Sequence, residues 1–176
     1  RLGVDFVTTC FDEETLAKFE PWIPFIKISS SDITNIPLID CACSYSKSIV
    51  LSCGASSMDE IRDTVSYIRT KTLVSITILH CVLNYPCKPE HANISMILTM
   101  KELAAGFKNV TVGYSCHVPE PEASDVSIAA CILGAELIEK HYTTSRVKKG
   151  NDHYHAWTAE DVVRFREHER KTLLIM

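Results

Sequence analysis

Apolar and polar positions along this chain fall into two alternating kinds of block. Short, nearly continuous apolar runs predict strands at residues 3–9, 25–28, 48–51, 73–80, 110–112 and 137–140. Stretches with helical spacing predict helices at 12–19, 36–43, 58–69, 94–105, 125–133 and 159–172. The helix ends carry their own signals. Asn35 precedes Ile36-Pro37, Ser57 stands three residues before Glu60, Thr158 precedes the last helix, and Gly134 follows the fifth. Six βα units in a row, without a hairpin signal, argue for parallel strands joined by helical crossovers and buried on both faces. Two architectures compete. An open doubly wound sheet suits this length, but no GxGxxG loop follows any strand. A (β/α)8 barrel, the TIM-barrel type, needs roughly 250 residues and two further units. Polar residues gather at the C-terminal end of every strand: Thr9, Lys27 to Asp32, Ser52, His80 with Asn84, Ser115 with His117, Glu139 with His141. Chemistry collected at that one rim is the mark of a barrel's active face.

Composition narrows the setting. The 176 residues suffice for one domain with a real core. Apolar residues make up 46% and charged residues 23%, and the net charge of −4 offers no basic surface for nucleic acid or anionic membrane. No apolar run reaches the roughly 20 residues that span a bilayer. The chain opens at Arg1 directly on a strand-like segment and without a signal-peptide pattern, so the expectation is a piece of a longer chain, cut on its N-terminal side. None of the eight cysteines forms a CxxC pair, and most lie in apolar segments. They are expected to be reduced core thiols of a cytoplasmic protein.

Two histidines carry the sharpest chemical signal. His117 and His141 each follow an apolar strand, so both are expected at the same rim, where two imidazoles can hold a divalent metal. Glu139 and His141 are two apart and share a face, whereas alternation turns Lys140 away. Lys27 ends its strand, where a buried ammonium is costly without an anionic partner.

Several segments, in order, resemble the sialic acid synthase (N-acetylneuraminate synthase) family and its relatives in spore-coat polysaccharide synthesis. They are Lys27-Ile28-Ser29-Ser30-Ser31-Asp32, Leu51-Ser52-Cys53-Gly54, His80-Cys81-Val82-Leu83-Asn84-Tyr85-Pro86, Gly113-Tyr114-Ser115-Cys116-His117, Leu133-Gly134-Ala135, Ile138-Glu139-Lys140-His141 and Gly150-Asn151-Asp152-His153. The resemblance implies a (β/α)8 barrel that condenses phosphoenolpyruvate with an N-acetylated amino sugar such as N-acetylmannosamine, giving a nonulosonic acid and phosphate. It implies a divalent cation, Mn²⁺ or a substitute such as Mg²⁺ or Co²⁺, on His117 and His141. Lys27, Ser30, Ser52 and Ser115 are then expected at phosphoenolpyruvate. Asp32, Asn84, Tyr85 and Asp152 are expected at the sugar, and Glu139 and Lys27 as the catalytic pair. His153 and His155 read as loop residues.

On this resemblance the chain covers about six of eight barrel units, lacks the first two, and lacks the family's C-terminal antifreeze-like domain. Full-length members pair as homodimers, which is not expected of this piece. Cys116 stands where bacterial members usually have Asp, and its expected consequence is the loss of a carboxylate beside the metal. Two rival readings accompany this one. The first is a Schiff-base aldolase or sugar-phosphate synthase on the same barrel, with Lys27 forming the imine. The second is an inactive, truncated fragment that binds sugar or metal.

Overall fold

The computed structural model describes residues 3–175. Five strands run parallel in chain order: β1 (Phe25–Ile28), β2 (Ser48–Ser52), β3 (Ile76–His80), β4 (Val110–Cys116) and β5 (Ile138–Lys140). Six α-helices accompany them among the described residues: α1 (Glu13–Phe19), α2 (Ile36–Ser44), α3 (Met58–Lys71), α4 (Met96–Ala105), α5 (Glu122–Ile132) and α6 (Ala159–Leu173). Two compact units divide these elements. One holds the residues up to Leu79 with Met100–Thr111, and the other holds His80–Thr99 with the residues from Val112 onward.

In the first unit β1 pairs with β2 in the register Phe25↔Ser48 to Ile28↔Leu51, and β2 with β3 from Ile49↔Ile76 to Ser52↔Leu79. Ile26, Ile28, Ile49, Leu51, Ile76 and Ile78 are all buried, as strands covered on both faces require. Helix α3 starts where Ser57 and Glu60 predict. The Glu60 amide donates to Ser57 Oγ (3.3 Å), and the Ser57 amide donates to Glu60 Oε2 (2.7 Å), which completes a capping box.

The predicted strand at residues 3–9 is corrected. Among the described residues only Thr9 of this segment makes a bridge, to Lys27, while Val4 and Phe6 are 78% and 54% exposed. Apolar composition alone does not make a strand; the backbone needs a partner along its length, and here it has one at a single position. The strand predicted from residue 73 begins instead at Ile76, because Thr72 caps α3 and Leu73 is 61% exposed.

In the second unit β4 pairs with β5 in the register Tyr114↔Ile138, Ser115↔Glu139, Cys116↔Lys140. Strand β4 is longer than predicted. It runs on through Gly113 to Cys116, so His117 is the first residue beyond it. Helix α5 starts at Glu122, three residues before the predicted position. It ends in the predicted glycine turn: Gly134 has φ +100°, its amide reaches the Cys131 carbonyl (2.9 Å), and the Ala135 amide reaches that of Ala130 (2.9 Å).

Helix α6 begins at a second box. The Thr158 amide and hydroxyl both donate to Asp161 Oδ2 (2.7 and 3.0 Å), and Arg146 and Arg164 pair with the same buried carboxylate. Burial alone would raise the Asp161 pKa, but the Thr158 bonds and the two guanidinium groups outweigh it and hold the carboxyl below its usual range. Asp161→Asn removes that charge from two arginines and weakens the cap. It is expected to destabilise the protein by about 2 kcal/mol, read as a lower urea midpoint at an unchanged m-value.

Candidate active site

The first unit brings together part of the expected anion site. Lys27 is buried, and its ammonium donates to Ser52 Oγ (2.7 Å) and to the Ile28 carbonyl (3.1 Å). Ser30 is also buried, and its hydroxyl accepts from the Gly54 amide in the loop that follows β2 (3.0 Å). The side chains at the ends of β1 and β2 are thus tied to each other. Asp32 has both carboxylate oxygens engaged locally. Oδ2 accepts from Ser29 (2.5 Å) and Ser31 (2.9 Å), and Oδ1 from the Asn35 side chain (3.1 Å). Burial pushes its pKa up, and these bonds more than reverse that, so Asp32 stays ionised to lower pH than an ordinary aspartate.

The second unit brings together most of the rest. The β4–β5 register ends at Cys116↔Lys140, so the next pair of positions in line is His117 and His141. Their ring centroids are 5.4 Å apart. One pair earlier in the register, Ser115 donates to Glu139 Oε1 (2.7 Å). Alternation sends Lys140 the other way, where its ammonium donates to the carbonyls of Cys116 (3.1 Å) and Val118 (2.5 Å) and lies 5.9 Å from the centre of the Trp157 ring.

Cys116 follows the same rule, and the sequence-based expectation for it is corrected. Its thiol faces the Ala123 carbonyl of α5 (4.0 Å) and the Lys140 ammonium (3.8 Å), so this side chain does not share the histidine side of the strand. None of the eight cysteines is in a disulfide among the described residues, and five of them are buried.

His117 is buried, and its Nδ1 lies 2.7 Å from the Val82 carbonyl. An acceptor at that distance assigns the proton to Nδ1 and leaves Nε2 as the lone-pair atom. Tyr85 packs over His117 with centroids 4.2 Å apart, and its ring is also 5.9 Å from His141 and 5.6 Å from His155. Asn84 stands beside it on an exposed turn closed by its own amide to the Val82 carbonyl (2.9 Å). Asp152 takes a left-handed backbone, φ +71°, and its Oδ2 lies 3.8 Å from His141 Nδ1.

The member of this cluster that sequence reasoning missed is His155. The chain leaves β5, loops out, and returns as a parallel bridge between Tyr142 and Trp157. The Trp157 amide donates to the His141 carbonyl (2.8 Å), and the Thr143 amide to the Trp157 carbonyl (2.8 Å). That return seats His155 against His141, centroids 4.9 Å apart, and buries it completely. Neither of its ring nitrogens has a hydrogen-bond partner among the described residues. Only the His-x-His spacing beside Asp152 hinted at this, and that spacing has no periodicity to place it. His153, by contrast, is held in the loop by Thr143 Oγ1 at Nδ1 (2.8 Å).

All three imidazoles are pushed toward the neutral form. Burial is the first cause for each; the Val82 carbonyl only partly offsets it at His117, and Asp152 only partly at His141. At His155, burial together with the neighbouring His141 and Lys140 brings the pKa to about 4. Ligand atoms of His141, Asp152 and His155 lie within 4.8 Å of one another. Neutral imidazoles beside a carboxylate, one of them buried without a partner, are a donor set that suits a divalent cation.

Comparison with known proteins agrees with the resemblance. The NeuB family profile matches residues 1–176. The N-acetylneuraminate-9-phosphate synthase of Drosophila melanogaster is 33% identical over 154 residues, which cover 87% of this chain and 40% of that protein. The spore coat polysaccharide biosynthesis protein SpsE of Bacillus subtilis is 31% identical over 170 residues, 96% of this chain and 44% of that one. Among solved structures, the N-acetylneuraminic acid synthetase of Leptospira borgpetersenii, crystallised with citrate, superposes with a TM-score of 0.84 at 33% identity, over 97% of this chain and 58% of that chain. The chain therefore spans less than half the length of these two curated relatives, and its fold is part of a (β/α) barrel.

The buried histidines set a pH dependence in metal-free protein. The folded chain resists protonating His155 down to about pH 4, against an ordinary value of 6.5. Below 6.5 the unfolded chain takes up a proton that the folded chain refuses. Stability from this group is therefore complete above pH 6.5 and is lost as pH falls toward 4. His117 and His141 are shifted in the same direction and add to the slope. With chelator present, His155 alone is expected to contribute on the order of 2–3 kcal/mol of loss between pH 7 and 4. His155→Phe should flatten that slope in urea melts taken across the range; an unchanged slope contradicts the assignment.

Proposed function

Since this chain belongs to the NeuB family, we propose that it carries the carbon–carbon bond-forming chemistry of a nonulosonic acid synthase. The substrates are phosphoenolpyruvate and an N-acetylated amino sugar resembling N-acetylmannosamine. C3 of the enolpyruvate attacks the open-chain aldehyde carbon, whose oxygen takes up a proton. Water adds at C2, and phosphate leaves by C–O cleavage. The observation that carries this reading is the β4–β5 register, which lines up His117 with His141 one step beyond Cys116 and Lys140. Legionaminic and pseudaminic acid synthases among the relatives support the reaction class.

His117 and His141 would hold the divalent cation, Mn²⁺ in the first instance. Such an ion supplies Lewis acidity at the aldehyde oxygen. His117 is prepared for ligation because its Nδ1 proton is committed to Val82. Ser115 donates to Glu139 Oε1, and Glu139 is the group that handles a proton or orients the sugar. Asn84, Tyr85 and Asp152 are the sugar contacts in the second unit. In the first unit Asp32, immobilised by three side chains, is the corresponding polar contact. Lys27, Ser30 and Ser52 take the phosphate or carboxylate of phosphoenolpyruvate, with the Lys27 ammonium already oriented by two neutral acceptors. A cytoplasmic setting, expected from cysteines that lie mostly in apolar segments, belongs to this reading.

In the intact protein, phosphate release from phosphoenolpyruvate is expected only when both an N-acetylated amino sugar and Mn²⁺ are present. His141→Ala should lower kcat by at least about 100-fold. Lys27→Met should act mainly through KM for phosphoenolpyruvate. Unchanged turnover in His141→Ala rejects the reading, and borohydride trapping of substrate on Lys27 would point to the imine-forming alternative.

A further inference from the structure

We propose that His155 is a further ligand of the divalent cation assigned above to His117 and His141, reaching it from the loop that also presents Asp152 to His141. Three observations on the chain carry this. His155 is completely buried, yet neither ring nitrogen has a hydrogen-bond partner among the described residues. An imidazole buried in that state forfeits about 1–3 kcal/mol for each polar atom left unsatisfied, so its site is built to receive something. The potential ligand atoms of His141, Asp152 and His155 lie within 4.8 Å of one another. Ligands that share an ion at about 2.1 Å stand roughly 3–3.5 Å apart, so closure asks for side-chain movement of only about 1.5 Å.

The third observation is how the loop is held. Asp152 adopts φ +71°, His153 is pinned to Thr143, and the Tyr142–Trp157 bridge fixes the far side of the loop. Residues 152 and 155 are thus presented toward His141 from a segment anchored on both sides. His117, whose ring centre is 5.4 Å from that of His141 and 6.1 Å from that of His155, borders the same site.

An added imidazole changes which ion is preferred. Oxygen-rich sites suit Mg²⁺, whereas each imidazole favours the borderline ions such as Co²⁺. The inference deepens the function proposed above and rests on it for the role of the ion, but ligation by His155 stands or falls by binding alone.

The test is titration of Co²⁺ and of Mg²⁺ into metal-free, intact protein, by calorimetry and by the visible absorption of bound Co²⁺. His155→Phe keeps a ring in the cavity but removes both nitrogens. It should weaken Co²⁺ binding on the order of 10–100-fold, with a much smaller effect on Mg²⁺, and shift the Co²⁺ bands. As a measurement that needs no variant, Zn²⁺ added to protein labelled with ¹⁵N in its histidine rings should shift one imidazole nitrogen of His155. Unchanged Co²⁺ affinity and bands in a folded His155→Phe, with binding lost in His141→Ala, overturn this inference and leave the proposed function standing. Absence of Co²⁺ and Mn²⁺ binding by the unaltered protein overturns both.

Discussion

The chemistry of the second unit depends on the register between β4 and β5. Three paired positions place Ser115 opposite Glu139 and bring the residues after them, His117 and His141, side by side. A slip of one residue would exchange the two faces of β5. Lys140 would then point where Glu139 and His141 do, and a carboxylate and an imidazole would be driven toward α5. Two side-chain interactions oppose that slip. The Ser115–Glu139 bond holds one face, and on the other the Lys140 ammonium clamps the carbonyls of Cys116 and Val118. The glycine turn after α5 fixes where the chain enters β5.

Burial does two things to the histidines at once. It removes the water that would stabilise an imidazolium, so all three rings favour the neutral form. The same neutral form offers the lone pair that a cation needs. Tyr85 contributes by covering the rings of His117, His141 and His155 with an apolar face while staying partly exposed itself. Lys27 in the first unit shows another solution to burying a polar group. Its ammonium donates to a hydroxyl and a carbonyl at the strand end. A site that must meet an anion gains from a positive group held this way, because the orientation is set before the ligand arrives.

Local signals were legible in the sequence where the physics is local. Ser57 with Glu60, Thr158 before its helix, and the Gly134 turn depend on residues within four positions, and each stands where the sequence predicts. The outward direction of Lys140 follows from alternation alone. Alternation applies equally to Cys116, and it turns this side chain away from the histidines. Two kinds of information were not local. Residues 3–9 have strand composition, but pairing partners decide strand formation, and among the described residues only Thr9 of this segment has one. Strand β4 runs on through Gly113 because β5 supplies a ladder that composition does not record. His155 lay beyond reach for the same reason: fourteen residues separate Tyr142 from Trp157, and their bridge brings the ring home.

That bridge also links the histidine cluster to α6. Trp157 receives Thr143 and reaches His141 through its backbone, and its ring packs on Phe165 of α6 with centroids 4.8 Å apart. The next residue, Thr158, caps the helix onto Asp161, and Asp161 pairs with Arg146, whose Nε in turn donates to the Ala156 carbonyl (3.0 Å). The loop that carries Asp152 and His155 is therefore closed by a ring of interactions running from Arg146 through Asp161 and Thr158 to Trp157. Positions within the cluster are thereby linked to the docking of α6. A change in that helix's apolar seat at Phe165 would reach the site through the backbone of Trp157, as a displacement of His155 relative to His141, and not as a change in the charge of either.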